Sequence, residues 1–572
     1  MNQLEQVIQY IVENKPSTKT QFDDARRRIC SKLKIPQPSN RQLLSVYQEL
    51  CKKKSITKNE KIEILIRKAD IRTLSGVAIV TSLVKPYACP GTCIYCPTEI
   101  RMPKSYIATE PAAARALALA FDPYEQMLRR IETLKMNGHP TDKIEYIIKG
   151  GTWNAYPLKY QYWFILRSFQ ACNDLSRNTH HVTRNSKTIE QFNNLTIETL
   201  QKKLDAEQKY NDFKAKHKII GLTLETRPDA ISPKTIYHMR EQGCTRIELG
   251  LQAPDDEILK LVHRGHTVQQ FKDAILLLRQ AGFKVDLHFM PDLPGTTAKH
   301  DVDMYKILFD DPGFRPDMVK IYPCTVIKTA ELYQWFKDSR YKPYPKEDLF
   351  EALIQMKTLT PRYCRISRLI RDIPNEEIQG GNAITNLREY LAQEMKQRGL
   401  TCQCLRCREV GHASTSAQKH FSTKAPKLFI DTYETIGGTE YFLSYCAQGA
   451  SASGGEDSKR QIVFAFLRLR LPRYKEKTPH MQNLEDSIDL GNLKGLGFIR
   501  ELHTYGQLLE LGEKNKTASQ HKGLGKKLVT EAEKIAKKNG YKKIAVISGV
   551  GVRGYYRKLR YKKRGTYMMK TI

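Results

Sequence analysis

The sequence predicts a multidomain α/β protein: a small basic helical N-terminal region, a partial parallel (β/α) barrel, and a C-terminal α/β domain built on a largely antiparallel sheet. Three observations carry this. The 572 residues exceed what one hydrophobic core organises, so two or three domains are expected. Between about 71 and 335, short β-rich runs alternate with helical stretches, the pattern of parallel strands joined by crossover helices. Beyond about 425, strand-like runs follow one another before a helix returns.

The elements follow in order. In residues 1–70, Leu4, Val7, Ile8 and Ile11 stand at helical spacing, beside the basic clusters Arg26-Arg27-Arg28 and Lys52-Lys53-Lys54. Within 71–335, strands are expected at 76–83, 144–148, 219–224, 246–251, 285–290 and 318–322. The polar stretch 173–215 interrupts this alternation and reads as a surface insertion. Residues 336–424 read as a linker with its own cysteine cluster. In 425–572, strands are expected at 461–470 and 498–503, then a helix at 525–538 and a strand at 543–548.

Lys and Arg number 94 against 61 Asp and Glu, leaving a formal charge of +33. Such an excess favours a polyanionic partner, with plain solubility as the alternative. The opening Met1-Asn2-Gln3-Leu4-Glu5 lacks the basic start and apolar core of a signal peptide. No apolar run approaches the roughly 18 residues of a membrane span. A cytoplasmic protein without membrane association is expected. Six of the 13 cysteines fall in two tight clusters, a spacing that favours metal ligation over a disulfide framework.

The first cluster, Cys89-Pro-Gly-Thr-Cys93-Ile-Tyr-Cys96, follows an expected strand. Three thiolates can hold three irons of a [4Fe–4S] cluster and leave the fourth iron open. A zinc site or three structural thiols are the general alternatives. The spacing of three and then two residues, with an aromatic before the last cysteine, is the radical S-adenosylmethionine (SAM) signature. Downstream, Gly150-Gly151 ends a strand where backbone must approach a ligand closely. Glu225-Thr-Arg227, Glu248-Leu-Gly250 and His288-Phe-Met290 put further polar groups at strand ends, where barrel enzymes assemble their sites.

In the last domain, Gln520-His521-Lys522-Gly523-Leu524-Gly525 has the Gln-x-x-Gly-x-Gly form that opens a helix in GCN5-related N-acetyltransferases. Exposed backbone N–H groups and the helix dipole at such a start suit the coenzyme A pyrophosphate. Past the next strand, a phenol of Tyr555 or Tyr556 could donate a proton to the departing thiolate, although helix-face packing is the simpler role for at least one of them.

Taken together these residues resemble the Elongator protein 3 family, the catalytic subunit of Elongator and its stand-alone archaeal and bacterial counterparts. The similarity runs from about Arg72 to Ile572 and includes Lys85-Pro, Phe121-Asp-Pro-Tyr-Glu-Gln126, Arg264-Gly-His-Thr267, Lys320-Ile-Tyr-Pro323, Arg371-Asp-Ile-Pro374 and Ile547-Ser-Gly-Val-Gly-Val-Arg553. The resemblance implies a radical SAM partial barrel joined to a GCN5-related acetyltransferase domain. It implies a [4Fe–4S] cluster on Cys89, Cys93 and Cys96, with SAM beside Gly150 and Gly151. Acetyl-CoA would lie on residues 520–525 with Tyr555 and Tyr556 near its acetyl group. Lys320 and Tyr322 are implied to handle acetyl-CoA or tRNA.

The implied reaction is formation of 5-carboxymethyluridine at the wobble position of tRNA. There a SAM-derived 5′-deoxyadenosyl radical would activate the acetyl methyl for addition to C5 of uridine. An electron donor is then required, and the tRNA anticodon stem-loop would be bound with help from Arg26–Arg28, Lys52–Lys54 and the basic segment 557–564. Whether the chain works alone or in an Elongator-like assembly stays open. The second cluster, Cys402-Gln-Cys404-Leu-Arg-Cys407 with His412 five residues on, offers ligands for a structural zinc. Cys364 is a rival fourth ligand, and free thiols are the alternative. Two departures from the family pattern stand out: Arg557-Lys-Leu-Arg560 where a glycine is more usual before the last tyrosine, and the length of the 173–215 segment. Competing functions are protein-lysine acetylation and a tRNA-binding scaffold.

Overall fold

The computed structural model describes residues 2–67, 76–177, 192, 194–410, 426–448, 461–473, 479–488, 490, 493–505 and 523–572. Four helices open the chain, Gln3–Glu13, Lys19–Lys32, Asn40–Lys52 and Glu60–Ile66. Asn2 with Glu5, and Ser39 with Gln42, form capping boxes that fix two of the starts. The residues expected to form the first helix's apolar face, Val7, Ile8 and Ile11, are buried in a separate core with Phe22, Leu43 and Tyr47.

The central sheet is built from β1 (Ala78–Leu83), β2 (Lys143–Lys149), β3 (Lys218–Thr226), β4 (Arg246–Gln252), β5 (Lys284–Phe289) and β6 (Met318–Ile321). After β6, the short β7 (Thr325–Ile327) leaves the sheet, and β8 (Arg365–Arg368) rejoins it as the seventh strand. All pairings in the order β1-β2-β3-β4-β5-β6-β8 are parallel. The two edges do not pair, so the sheet is an open barrel. β7 pairs instead with β9 (Ile378–Gly381). Along β2, Ile144, Tyr146 and Ile148 are buried in the core shared with the helices Pro123–Met136 and Leu158–Arg177. The alternate residues Glu145, Ile147 and Lys149 line the interior cavity.

Two segments differ from expectation. The stretch 336–424, expected as a linker, supplies β8 and the buried face of the helix Lys346–Leu359. Its strand of only four residues is too short to stand out by alternation. Of the 173–215 segment, residues 178–191 and 193 lie outside the described residues, but the helix Ile197–Phe213 buries Leu200 and Leu204. Asn211 Nδ2 donates to Asn173 Oδ1 at 2.9 Å, tying that helix to Leu158–Arg177.

The C-terminal sheet comprises β10 (Lys427–Thr435), β11 (Gly438–Gln448), β12 (Gln461–Pro472), β13 (Leu496–Thr504), β14 (Lys543–Val546), β15 (Lys562–Arg564) and β16 (Tyr567–Thr571). Its order is β10-β11-β12-β13-β14-β16-β15. Every pairing is antiparallel except β13 with β14, which starts at Leu496 opposite Lys543 and ends at Ile499 opposite Val546. β13 then runs on to Thr504 without that neighbour, so the sheet splits into a wedge. The helix Leu524–Lys538 covers one face of the sheet through Leu528, Val529, Ala532 and Ala536.

The other face closes the N-terminal end of the barrel, and one continuous core includes Phe442, Phe466 and Phe498 together with Leu278, Phe283 and Val285. Arg500 reaches from β13 to Asp317 at 2.7 and 2.6 Å and to the Phe283 carbonyl at 2.8 Å. Glu440 joins Arg500 at 2.9 Å, Arg279 at 3.0 Å and Arg470 at 2.9 Å. The loop after β14 packs backbone to backbone on β3: a Cβ on Gly549 would overlap the Ile220 carbonyl. Arg557 forms a bidentate pair with Asp212 at 2.9 and 2.6 Å, which accounts for the unusual cation after Tyr556. Among the described residues, no helix is long and apolar enough to cross a membrane.

Candidate active site

The cysteine loop leaves the C-terminal end of β1. The Ile94 amide donates to the Val262 carbonyl at 3.2 Å and its carbonyl accepts from Leu332 at 2.8 Å, which anchors the loop on both sides. Cys89 Sγ receives the Gly91 amide at 3.4 Å and lies 3.7 Å from Thr152 Oγ1. Arg264 Nη1 points to Cys93 Sγ at 3.6 Å, while its Nη2 donates to the Gly250 carbonyl at 2.7 Å. Arg227 is held by Asp229 at 2.9 and 3.0 Å. Its remaining Nη1 is buried without a hydrogen-bond partner, so close to Gly91 that a Cβ there would overlap it. Burial alone would push the Cys93 thiol up, but the Arg264 guanidinium outweighs it and holds the thiol below its ordinary value. Burial, with Cys93 beside it, pushes Cys96 up to about 12.

This loop fits an iron–sulfur cluster better than a single ion. Zinc on thiolates at about 2.3 Å would draw the sulfurs to roughly 3.8 Å from one another. Cys89, Cys93 and Cys96 are not gathered within 4.8 Å of one another, as Cys402, Cys404 and Cys407 are. The two guanidinium groups supply positive charge where thiolates and sulfides would concentrate negative charge.

Gly150 and Gly151 end β2 with φ of +134° and +86°, backbone that side chains rarely adopt. A Cβ on Gly150 would also overlap Val84. Around them the strand ends converge. Glu248 on β4 pairs with both Lys149 on β2 and Lys320 on β6. His288 Nε2 lies 3.5 Å from Glu248, and its Nδ1 lies 3.9 Å from Glu225, which also accepts from Tyr106 Oη at 3.1 Å. The Tyr322 ring meets His288 edge-on at 5.7 Å. Burial, reinforced by Lys320, lowers His288 to about 3, so the imidazole is neutral. Glu225 resists the upward pull of burial because Lys149, His288 and Lys320 surround it, and falls to about 2. Glu225, Glu248 and His288 could hold a cation, but the two ammonium groups already neutralise the two carboxylates.

A cavity of about 1120 Å³ runs from this end through the barrel. Cys89, Cys93 and Cys96 line one end, Glu248, His288, Lys320 and Tyr322 the middle, and Glu501, His503, Ser548 and Tyr556 of the C-terminal domain the other. Glu145 and Lys149 on β2, Arg246 and Glu248 on β4, Lys284, Asp286 and His288 on β5 and Lys320 on β6 point inward, so the barrel interior is a passage where a wholly aliphatic filling would close it.

At the far end, Gln520, His521 and Lys522 lie outside the described residues. Gly523 (φ +69°) precedes the helix Leu524–Lys538, and among the described residues no side chain caps its first N–H groups, the kind of donors that suit an anion. A Cβ on Gly525 would come 2.9 Å from Tyr555 Oη and 3.5 Å from Thr504 Oγ1. Tyr555 is 38% exposed and Tyr556 only 5%, the latter packed on Tyr561 at 5.9 Å. Burial raises Tyr555 to about 12, keeping the phenol protonated. The two tyrosines therefore divide, one beside the helix start and one walling the cavity.

Cys402, Cys404 and Cys407 have sulfurs within 4.8 Å of one another, a spacing that fits one tetrahedral ion. His412 lies outside the described residues. Cys364 does not join that group, although its carbonyl accepts the Leu405 amide at 2.8 Å. Of the basic clusters, Arg26 is held by Asp23 at 3.0 Å and Asn40 at 2.9 Å, Arg27 by Asp24, and Lys53 by Glu49 at 2.9 Å. Arg28, Lys52 and Lys54 are exposed. Sequence reasoning missed the roles of Arg227 and Arg264 beside the thiols and the Lys149–Glu248–Lys320 group. The available signal was charge at every second position of strands that end at one rim.

Residues 83–308 match the radical SAM superfamily and residues 316–397 the radical SAM C-terminal domain. The chain is 40% identical to a tRNA uridine(34) acetyltransferase of Methanocaldococcus infernus, over 100% of this chain and 98% of that protein. It is 36% identical to the Elongator complex protein 3 of Homo sapiens over 88% and 85% of the two. The solved structure of the archaeal Methanocaldococcus infernus Elp3 with an N-terminal deletion aligns with a TM-score of 0.67 at 38% identity, covering 87% of this chain and 100% of that one.

Proposed function

Because the chain belongs to the family of tRNA uridine(34) acetyltransferases and Elongator complex protein 3, we propose that it forms 5-carboxymethyluridine at the wobble position of tRNA from acetyl-CoA. The observation that carries this reading is the single cavity lined by the cysteine loop at one end and by Tyr556 at the other. A protein-lysine acetyltransferase would need its acetyl end open to a protein surface, whereas Tyr556 here walls an interior shared with three cysteines.

C5 of uridine is a weak nucleophile toward a thioester, so a polar acyl transfer does not make the carbon–carbon bond. A [4Fe–4S] cluster with SAM supplies, when bound, a 5′-deoxyadenosyl radical able to take hydrogen from the acetyl methyl. In this proposal Cys89, Cys93 and Cys96 hold the cluster, and Arg227 and Arg264 balance its charge. Gly150 and Gly151 let backbone approach SAM. Lys149, Glu225, Glu248 and Lys320 present fixed charges, and the neutral His288 a fixed dipole, to the polar groups of the bound molecules, with little reorganisation left to do. Gln520, His521, Lys522, Gly523, Leu524 and Gly525 cradle the coenzyme A phosphates. Tyr555 holds a proton at Oη for the leaving thiolate. Tyr556 and Tyr322 wall the route between the two ends and exclude water.

The anticodon stem-loop would be gripped by exposed cations, among them Arg28, Lys52, Lys54 and Lys562, which makes affinity fall steeply with salt. Arg26, Arg27 and Lys53 contribute less, since local carboxylates already hold them. A structural zinc on Cys402, Cys404 and Cys407, with His412 completing it, would brace the junction between the domains. The chain would act in the cytoplasm, and its relatives include both stand-alone and Elongator-type proteins.

The test is incubation with tRNA, SAM, reductant and methyl-deuterated acetyl-CoA, followed by mass spectrometry. Deuterium is expected in 5′-deoxyadenosine and in the modified uridine. Modified tRNA with unlabelled 5′-deoxyadenosine, or acetylated protein with unmodified tRNA, overturns the proposal.

A further inference from the structure

The reaction cavity is not the only opening onto the thiols. A second hollow of about 660 Å³ reaches Cys89, Cys93 and Cys96 from the outer side of the same loop, between Tyr87, Ile100 and Glu331. At its lip Ile100 is 94% exposed, the most exposed large apolar side chain among the described residues, and Tyr87 is 43% exposed. Ile100 is held outward by a well-bonded turn. Met102 N donates to the Glu99 carbonyl at 3.0 Å, Ser105 N to the Pro97 carbonyl at 3.2 Å, and Thr98 N to the Thr329 carbonyl at 3.1 Å. Glu99 is itself engaged, accepting from Arg101 at 2.6 Å and from the Ala108 amide at 2.8 Å. The neighbouring Lys85, Arg101 and Lys328 are exposed and Lys104 lines the hollow, against the carboxylates of Glu99 and Glu331, so the rim is positive on balance.

An apolar tip with cations on either side, fixed over the loop that carries the three thiols and outside the lining of the substrate cavity, has the make-up of a transient electron-transfer contact. Such contacts are small and are steered by charge more than held by area. We propose that this rim is the docking surface for a small acidic one-electron carrier protein. The inference rests on the reading that the three cysteines hold the iron–sulfur cluster. Each encounter passes one electron: the carrier is oxidised by one electron, the cluster is reduced by one, no bond is made or broken, and the carrier's protons stay with it. The partner is acidic because it must meet Lys85, Arg101 and Lys328. Its electron enters from outside because SAM, acetyl-CoA and the uridine occupy the inside. An RNA surface fits the rim less well, since an aliphatic tip gives phosphates nothing to bond.

The test uses the cluster-loaded full chain and a purified flavodoxin in its hydroquinone state, with cluster reduction followed by stopped-flow absorbance and electron paramagnetic resonance. For the double variant I100E/K328E, we expect the rate constant for reduction by flavodoxin to fall at least tenfold and to lose most of its salt dependence, while reduction by dithionite is unchanged. Unchanged reduction by flavodoxin, or a fall matched by an equal fall with dithionite, overturns the proposal. An independent arm needs no variant: carbodiimide cross-linking of the wild-type chain to flavodoxin, mapped by mass spectrometry. Links at Lys85 or Lys328 support the surface, and links confined to the N-terminal helices or the C-terminal domain overturn it. If the wild-type cluster takes no electron from dithionite and cleaves no SAM, the underlying reading of the cysteines fails instead, which separates the two.

Discussion

The two ends of the barrel both bury charged groups and use them in opposite ways. At the strand C-termini, Thr226 Oγ1, Arg227 Nη1, Gln252 Oε1 and His288 Nε2 are buried, face the cavity and have no hydrogen-bond partner among the described residues. At the strand N-termini, Arg500 donates to both oxygens of Asp317, to Glu440 and to the Phe283 carbonyl, leaving its guanidinium fully satisfied. Unpaired polar atoms in a cavity cost stability and are kept where a ligand will pair them. The ion pairs between the two domains fix their relative position, and the atoms left over there, Arg279 Nε, Arg468 Nη1 and Arg470 Nε, are edges of guanidiniums already paired with Glu440 or Asp317. One end is therefore arranged to bind and the other to hold, the division expected of barrel strands.

The largest effect that sharpens this contrast is Cys93→Ser. It is expected to bring cluster absorbance and 5′-deoxyadenosine formation to background while the thermal midpoint of the chain stays near that of the wild type. A large loss of stability would break the comparison, because it would make the loop a structural element. Next comes Asp317→Ala at the opposite end, where Arg500 and Arg468 lose a fully buried partner. Breaking such a pair costs about 3–5 kcal/mol, read as a lower denaturant midpoint with both domains unfolding earlier. Glu248→Gln is smaller in stability, under about 2 kcal/mol, although it also strands two lysines. Lys149 and Lys320 open onto the cavity, so water can replace the lost carboxylate there. It should nonetheless abolish SAM cleavage. An equal stability cost for Glu248→Gln and Asp317→Ala, measured by urea unfolding, would erase the distinction.

The binding end was far more legible in the sequence than the holding end. Cys89, Cys93 and Cys96 sit within eight residues, Gly150 and Gly151 are adjacent, and Lys320 and Tyr322 share a strand end, so local spacing reports them. Six central strands were readable because each is a short run rich in β-branched and aliphatic residues. Arg500, Asp317, Glu440 and Arg279 lie on four distant segments and meet only through tertiary contact, and no local pattern marks a charged residue as buried. The seventh strand was missed for a related reason: Arg365–Arg368 reads as polar, and only its pairing with β6 makes it a strand. Tyr555 and Tyr556 are neighbours in sequence yet point to different surroundings, which a helix of six residues does not announce.

The weakest effect sets the two ends against each other through pH. Behind the cavity at the end of β5, Asp292 and Asp301 are both fully buried. Tyr344 N donates to Asp292 Oδ1 at 3.1 Å, and Tyr344 Oη donates to Asp301 at 2.8 Å. Burial pushes Asp292 up to about 8 and Asp301 up to about 6. These carboxyls bind protons more tightly folded than unfolded, so their contribution is full below about pH 4 and is lost as pH rises through about 8. At the holding end the sign reverses. Arg500 keeps Asp317 well below its ordinary value against the pull of burial, and Lys284 and Arg468 bring Glu501 to about 2. That contribution is present above about pH 4 and is lost as pH falls toward 2. The stability curve should therefore peak on the acid side of neutrality, with an alkaline limb owed to the buried aspartates. Asp292→Asn retains an acceptor for Tyr344 and removes one titrating group, so it should flatten that limb by up to about 1.4 kcal/mol per pH unit while leaving the acid limb unchanged. Urea unfolding of the two proteins from pH 3 to pH 9 measures both limbs, and an alkaline slope that survives Asp292→Asn would assign it to another group.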